Sequence, residues 1–294
     1  MKPYTMTRRS VLSGQESTSD VEIASIQIGN FDVLVLSDGH FNLPGNWFVN
    51  GEVKHRQQAG DPIKVGANVW LIRSKERVIL VDTGAGPIFS RTRPTAGKLD
   101  DLLAAEKLDK AEVTDIVITH MHADHIGGLM GPDTGGYSNA KIHLAKAEWD
   151  FWADPDLTSK VSESMKPLVQ LAQSVTSSIA NRIIKYENEA EIVAGVHLIF
   201  LPGHTPGHSG VLIADEGQEL SIVGDAIIAE ILQFQSPDIS YILDIDPEMA
   251  IKTRTKLLAN LARSGRLMAA THLTYPGIGR VTQDGDAFEF HSLA

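Results

Sequence analysis

The 294-residue chain contains no cysteine. Disulfides, thiolate metal ligands and a cysteine nucleophile are therefore excluded, and any metal site must be assembled from imidazoles and carboxylates. Positive charge is scarce too: 26 Lys and Arg stand against 37 Asp and Glu, a formal net charge of −11. Affinity for nucleic acid rests on cations that neutralise phosphates, so no nucleic-acid partner is expected. No apolar run approaches the ~18–20 residues of a membrane-spanning helix, the longest being strand-like pieces at 33–36 and 78–81. A soluble protein without a membrane partner is the reading. Arg8-Arg9 is followed at 13–18 by polar residues and not by the apolar centre of an export signal, so a cytoplasmic location is expected and residues 1–20 read as a mobile tail. Neither a G-x-S-x-G nucleophile motif nor a phosphate-binding P-loop is present. No linker-like stretch divides the remainder, and 21–294 reads as one domain.

What is present is a regular alternation of strand and helix patterns. Strands are predicted at 23–28 and 31–36 around the turn residue Asn30, then at 66–73 and 77–82. Leu99, Leu102, Leu103 and Ala105 predict a helix over 98–108, and the apolar strand 116–119 delivers His120 at its C-terminal end. A strand at 141–144 and a helix at 146–153 follow, and the amphipathic stretch 159–184 predicts a helical insertion that projects from the body. The second half supplies strands at 197–201, 210–213, 220–224 and 266–271, with a helix over 247–264 capped by Asp246 and Gly265. Two β-rich halves, each with helices, predict an α/β (α+β) fold in the form of a four-layer αββα sandwich.

The most informative stretch is Thr119-His120-Met121-His122-Ala123-Asp124-His125-Ile126-Gly127-Gly128. Four candidate ligands fall within six residues, directly after a strand, where open α/β sheets place their sites. In an extended loop His120 and His122 face the same side, whereas Asp124 and His125 begin the next turn and point to an adjacent position. Imidazole and carboxylate suit Zn²⁺ and similar ions, so the spacing makes half of a dinuclear site. The other ligands should be isolated residues at strand ends; His204, Asp225 and His272 fit.

The T-H-x-H-x-D-H run followed by distant His, Asp and His resembles the signature of the metallo-β-lactamase-fold hydrolase superfamily. The resemblance implies one metal on His120, His122 and His204, a second on Asp124, His125 and His272, and Asp225 bridging both. Zn²⁺ heads the candidates, with Mn²⁺, Co²⁺ and Fe²⁺ also accepted by such donors. Asp82, in Val81-Asp82-Thr83-Gly84, has the family role of orienting a ligand histidine, although the residue alone reads equally as a turn residue. His208 reads as a hydrogen-bonding loop residue. In chemical terms the site implies a hydroxide bridging the two metals, water's pKa falling from 15.7 to about 7, with Asp124 and Asp225 as the catalytic carboxylates.

Shorter segments are similar to the branch containing methyl parathion hydrolase and N-acyl-homoserine lactonase-like enzymes: Leu36-Ser37-Asp38-Gly39, Asp82-Thr83-Gly84-Ala85-Gly86, Asp150-Phe151-Trp152, Gln233-Phe234 and Pro276-Gly277-Ile278-Gly279. This similarity implies hydrolysis of a small, neutral, hydrophobic lactone or ester, with phosphotriesters as further substrates, and is compatible with a homodimer. Phe151 and Trp152 either line the substrate pocket or pack as helix residues on the core, and Phe234 is a further pocket candidate. A thioesterase or β-lactamase-like hydrolase is the alternative enzyme; a non-catalytic metal-binding sensor or scaffold is the alternative outside catalysis.

Overall fold

Successive side chains on a strand point to opposite faces, so the continuous apolar runs of this chain need cover on both sides. In the computed structural model, which describes residues 4–11, 21–50, 55 and 59–293, Leu34, Leu36, Leu71 and Leu80 face one way while Val33, Val35, Ile72 and Ile79 face the other. They belong to an eight-stranded sheet ordered β1 (Met6–Val11), β2 (Val21–Ile28), β3 (Phe31–Leu43), β5 (Ile63–Arg73), β6 (Val78–Val81), β7 (Asp115–Val117), β8 (Lys141–Ala145) and β9 (Ile183–Tyr186). A seven-stranded sheet follows, ordered β10 (Ala190–Val193), β11 (Val196–Phe200), β12 (Ser209–Asp215), β13 (Gln218–Ile222), β15 (Leu267–Ala269), β16 (Ile278–Asp284) and β17 (Ala287–Ser292). Two short strands, β4 (Phe48–Val49) and β14 (Ser240–Tyr241), pair with each other outside both sheets.

The inner faces of the sheets share one core, in which Val33, Val35, Trp70 and Ile72 meet Val211, Ile213, Leu220 and Ile222. Burying each such side chain contributes roughly 1.5–3 kcal/mol. Helices Leu99–Ala105, Lys146–Trp152 and Lys166–Ile179 cover the outer face of the first sheet. Helix Pro247–Ser264 covers the second, its Leu258 and Leu261 packing on Met268 and Val281. The layers are αββα. Both ends of that last helix follow from its sequence: the Asp246 side chain accepts from the Met249 N–H at 3.0 Å, and Gly265 closes it in the left-handed conformation at φ 64°.

Two expectations need correction. Met6–Val11, read as part of a mobile tail, pairs antiparallel with β2, and the Thr7 and Ser25 hydroxyls lie 2.7 Å apart. A free sheet edge presents unpaired N–H and C=O groups, and an extended segment with little apolar character satisfies them as well as an apolar one. The rest of the expected tail, 1–3 and 12–20, lies outside the described residues. The stretch 159–184 does not project: it divides into Leu157–Lys160, Lys166–Ile179 and β9. Val169, Ala172, Val175 and Ile179, at helical spacing, are buried and return the longer helix onto the first sheet.

A buried polar network ties the parallel strands together away from the histidine loop. Asp115, first residue of β7, accepts from His143 Nε2 at 2.9 Å, from the Thr114 hydroxyl at 2.7 Å and from Arg77 at 3.2 Å. Burial alone would raise its pKa, but His143, Thr114 and Arg77 together hold it below the ordinary carboxylate value. A folded-state pKa below the unfolded one means stabilisation that is complete above about pH 4–5 and lost as pH falls through the folded value. The difference in unfolding free energy between wild type and Asp115→Asn should therefore shrink as urea titrations are moved from about pH 7 to about pH 3. A pH-independent difference would exclude this linkage.

Among the described residues no helix is long and apolar enough to cross a membrane.

Candidate metal centre

Strands β11, β13 and β15 run in one direction, and β7 ends at the same edge of the sandwich, so the loops that follow all four meet there. His120 and His122 lie in the extended loop after β7; Asp124 and His125 open the short helix Ala123–Ile126. His204 follows β11, Asp225 sits in a 3-10 turn after β13, and His272 follows β15. The glycines after the motif serve packing: a Cβ on Gly127 would lie 2.0 Å from the Ala85 oxygen, so only glycine lets this turn seat against the Gly84-Ala85-Gly86 loop. Asp38 holds that loop from the other side by accepting the Ala85 N–H at 2.9 Å, while its second oxygen accepts the Leu99 N–H at 2.7 Å.

The seven side chains converge in two groups whose ligand atoms lie within 4.8 Å of one another: His120, His122, His204 and Asp225 in one, Asp124, His125 and His272 in the other. His122 Nδ1 is 3.0 Å from His120 Nε2 and 2.9 Å from His204 Nε2. Asp225 joins the groups, its Oδ2 standing 3.4 Å from His204 Nε2 and 3.1 Å from His272 Nε2, and its Oδ1 3.2 Å from His125 Nε2.

Three of the outer nitrogens are tied down. His125 Nδ1 donates to Asp82 Oδ2 at 2.7 Å, His204 Nδ1 to Asp244 Oδ1 at 2.8 Å, and His272 Nδ1 to the Gly66 carbonyl at 2.8 Å. A proton fixed on each Nδ1 leaves the Nε2 lone pair aimed at the cluster. Several acceptors then face each other at close range with nothing between them to donate. His125 Nε2 and Asp225 Oδ1 are buried and have no hydrogen-bond partner. Buried polar atoms are otherwise satisfied in folded proteins, so this arrangement fits a bound cation. Burial and the neighbouring histidines drive the pKa of His120 and His122 well below the ordinary value, whereas against burial Asp225, Asp82 and Asp124 raise that of His125 and Asp225 raises that of His272; Asp225 itself is held well below the carboxylate range although burial opposes it.

Asp82 adopts a left-handed φ of 62° and, besides His125, accepts the Thr119 N–H and hydroxyl at 2.8 Å each. His208 donates from Nδ1 to the Leu201 carbonyl at 2.8 Å and accepts the Asp225 N–H on Nε2 at 3.0 Å. Burial and His204 push its pKa down to about 4, which keeps that acceptor free.

A cavity of about 900 Å³ opens over the cluster, with His122, Asp124, Asp225 and His272 at its floor. Its apolar walls come from Phe41, Trp47, Phe89, Leu168, Ile228 and Leu243. The pocket candidates read from sequence lie elsewhere. Trp152 is fully buried behind His122, ring centroids 5.7 Å apart, and Phe151 packs edge-on against Trp152. Helix Lys146–Trp152 lies on the outer face of the first sheet, so its aromatics enter the helix–sheet core. Phe234 stacks on Phe290 and borders a second cavity of about 780 Å³, which shares His272 with the first.

Sequence reasoning passed over two buried carboxylates. Glu148 accepts four neutral donors: the Met121 N–H, the Trp152 indole, the Thr205 hydroxyl and the Gly207 N–H, at 2.5–3.0 Å. Nothing in Lys146-Ala147-Glu148-Trp149 distinguishes it from a surface glutamate on a helix. Asp244 stands two residues before the capping Asp246 and so has no capping task; this was the only local hint that it serves something else.

Residues 63–272 match the family model of the metallo-beta-lactamase superfamily. The chain is similar to the N-acyl homoserine lactonase of Bacillus cereus, 27% identical over 173 residues, which is 53% of this chain and 62% of that protein. It is also similar to acyl-coenzyme A thioesterase MBLAC2 of Homo sapiens, 27% identical over 173 residues, 55% of this chain and 58% of that protein. The matched region thus spans less than two thirds of either relative's length. Among solved structures it resembles AidC, a dizinc quorum-quenching lactonase in complex with a product, with a TM-score of 0.84 and 26% identity over 92% of this chain and 97% of that one. The hydrolase AbOPH is similar at a TM-score of 0.83 and 26% identity, with the same coverage. The T-H-x-H-x-D-H loop, the three later ligand positions and the αββα layers thus coincide with a family match over most of the chain, and the chain belongs to the metallo-β-lactamase superfamily.

Proposed function

We propose that this chain is a hydrolase that uses two divalent cations, Zn²⁺ first among the candidates, to open small neutral lactones and esters, with neutral phosphotriesters as further substrates. The observation that carries the reading is seven imidazole and carboxylate donors, two of them orphaned and buried, on the floor of an apolar cavity. His120, His122, His204 and Asp225 would hold one cation, and Asp124, His125, His272 and the second oxygen of Asp225 the other. When bound, such a pair supplies hydroxide from water near neutral pH and polarises the scissile carbonyl.

The chain's own groups supply the rest. Tyr241 borders the cavity with its ring stacked on His204, and its hydroxyl has no protein partner among the described residues. Burial and the charges of Asp124 and Asp225 raise its pKa, so it stays protonated and donates to the oxygen on which charge develops. Asp124 is 20% exposed at the cavity floor, against 5% for Asp225, and is the carboxylate positioned to pass a proton to the leaving alkoxide. The aromatic and aliphatic walls exclude water and accept an acyl chain.

The thioesterase relative supports a second reading, hydrolysis of acyl thioesters. A coenzyme A moiety carries several phosphate charges, whereas among the described residues lining the cavity Arg93 is the one Lys or Arg. The test is elemental analysis of active protein followed by kcat/KM across a lactone, an aryl ester, a neutral phosphotriester, an acyl-coenzyme A and a β-lactam. Two metal equivalents per chain are expected, with activity lost to a chelator and restored by Zn²⁺, Mn²⁺ or Co²⁺, and with a lactone or ester as the best substrate. One equivalent or none in fully active protein overturns the dinuclear reading, and a thioester or β-lactam exceeding every lactone and ester overturns the substrate class.

A further inference from the structure

Arg254 is 1% exposed, in the interior of helix Pro247–Ser264, four residues before Leu258 on the face that packs inward. An arginine is a costly way to fill such a position: burial pushes its pKa down to about 10 against the attraction of Asp244 and Asp238. Packing alone would be met by leucine or methionine, so where its donors go is informative. Nε donates to the Ala226 carbonyl at 2.8 Å, Nη1 donates to the carbonyls of Pro237 and Ile239 at 2.8 and 2.6 Å, and Nη2 faces Asp244 Oδ2 at 3.9 Å.

Three of these four destinations adjoin the site. Ala226 follows Asp225 in the same turn, and Ile239 leads into β14, which carries Tyr241. Asp244 accepts from His204 Nδ1 on one oxygen and from the Tyr241 N–H at 2.8 Å on the other. By contrast, none of the hydrogen bonds or ion pairs of Arg254 reaches Asp124, His125 or His272, whose outer contacts are with Asp82 and Gly66.

We propose that Arg254 is a positioning residue that holds the Asp225 turn, the Asp244–His204 pair and the Tyr241 strand in register, and so sets the His204 half of the metal cluster more than the other, which it reaches through Asp225 alone. The planar guanidinium reaches four oxygens from a single side chain, which a lysine ammonium on a flexible stem does not reproduce. The proposal rests on the dinuclear reading above and adds an asymmetry to it.

The test is competition between protein and a chelator, with Zn²⁺ and then Co²⁺ loaded on wild type, Arg254→Lys and Asp244→Asn. In both variants one of the two metal equivalents should be released at roughly 10–100-fold lower chelator, the range for loss of a group that orients a ligand. The other equivalent, which shares only Asp225 with this half, should weaken clearly less, and the visible Co²⁺ spectrum of the weakened equivalent should change the more. Unchanged affinity for both equivalents, with only a lower unfolding midpoint, makes Arg254 a packing residue and overturns the proposal; so does equal weakening of both. If Arg254→Lys does not fold, Arg254→Gln, which keeps an amide donor without the guanidinium fork, decides by the same readout. A wild-type protein that binds fewer than two equivalents overturns the dinuclear reading, and this proposal with it.

Discussion

An Asp225→Ala variant should lose at least about three orders of magnitude in kcat/KM, about 4 kcal/mol of transition-state stabilisation at 1.36 kcal/mol per decade. It should also retain fewer than two metal equivalents per chain. Asp225 is the one side chain whose two oxygens face both donor groups, at 3.2 Å from His125 on one side and 3.4 Å from His204 on the other. Its removal deletes a ligand from each half and leaves like-charged or lone-pair-bearing groups facing each other without a carboxylate between them. Asp82→Ala is the matched comparison, because Asp82 touches the cluster through His125 and Thr119 and not as a member of either donor group. There metal binding should weaken by about 10–100-fold, with activity recovered at excess metal. Elemental analysis and metal titration of the two variants separate the roles, and negligible effects of both would mean that these residues are not the metal centre.

Glu148→Ala should be the most destabilising single truncation in the region, at about 4 kcal/mol or more by urea denaturation, since each buried donor left unpaired costs about 1–3 kcal/mol. Glu148 is fully buried and faces four neutral donors with no cation beside it. Those donors come from the His120–His122 loop, the His204–His208 loop and Trp152, so one carboxylate fastens two ligand-bearing segments together. Against a total stability of about 5–15 kcal/mol, the loss should show as a large fall in the denaturation midpoint. Glu148→Gln keeps one acceptor oxygen but turns an amide N–H₂ toward two donors, and should fall between wild type and alanine. A cost below about 1 kcal/mol for the alanine variant would mean that water replaces the carboxylate without loss.

The convergence of the seven candidate ligands was open to sequence reasoning because its logic is local. His120, His122, Asp124 and His125 follow one strand at a spacing that only a shared site explains, and His204, Asp225 and His272 each follow an apolar run that had to end at a sheet edge. The αββα layering was likewise legible, since strands that are apolar on both faces need cover on both. The ends of helix Pro247–Ser264 were written in Asp246 and Gly265. Tertiary structure alone decided which long-range partners each side chain meets. The aromatic pair Phe151 and Trp152 went to the core and not to the pocket, because which side of a sheet a helix covers is not encoded in its own periodicity. The pocket walls came instead from Phe41, Trp47 and Leu168, residues up to 127 positions apart that carry no common motif. Glu148, Asp244 and Arg254 escaped notice for the same reason: a charged residue on a helix or loop looks solvated in sequence, and only the packing of distant segments supplies the buried donors and acceptors that make its charge worth keeping.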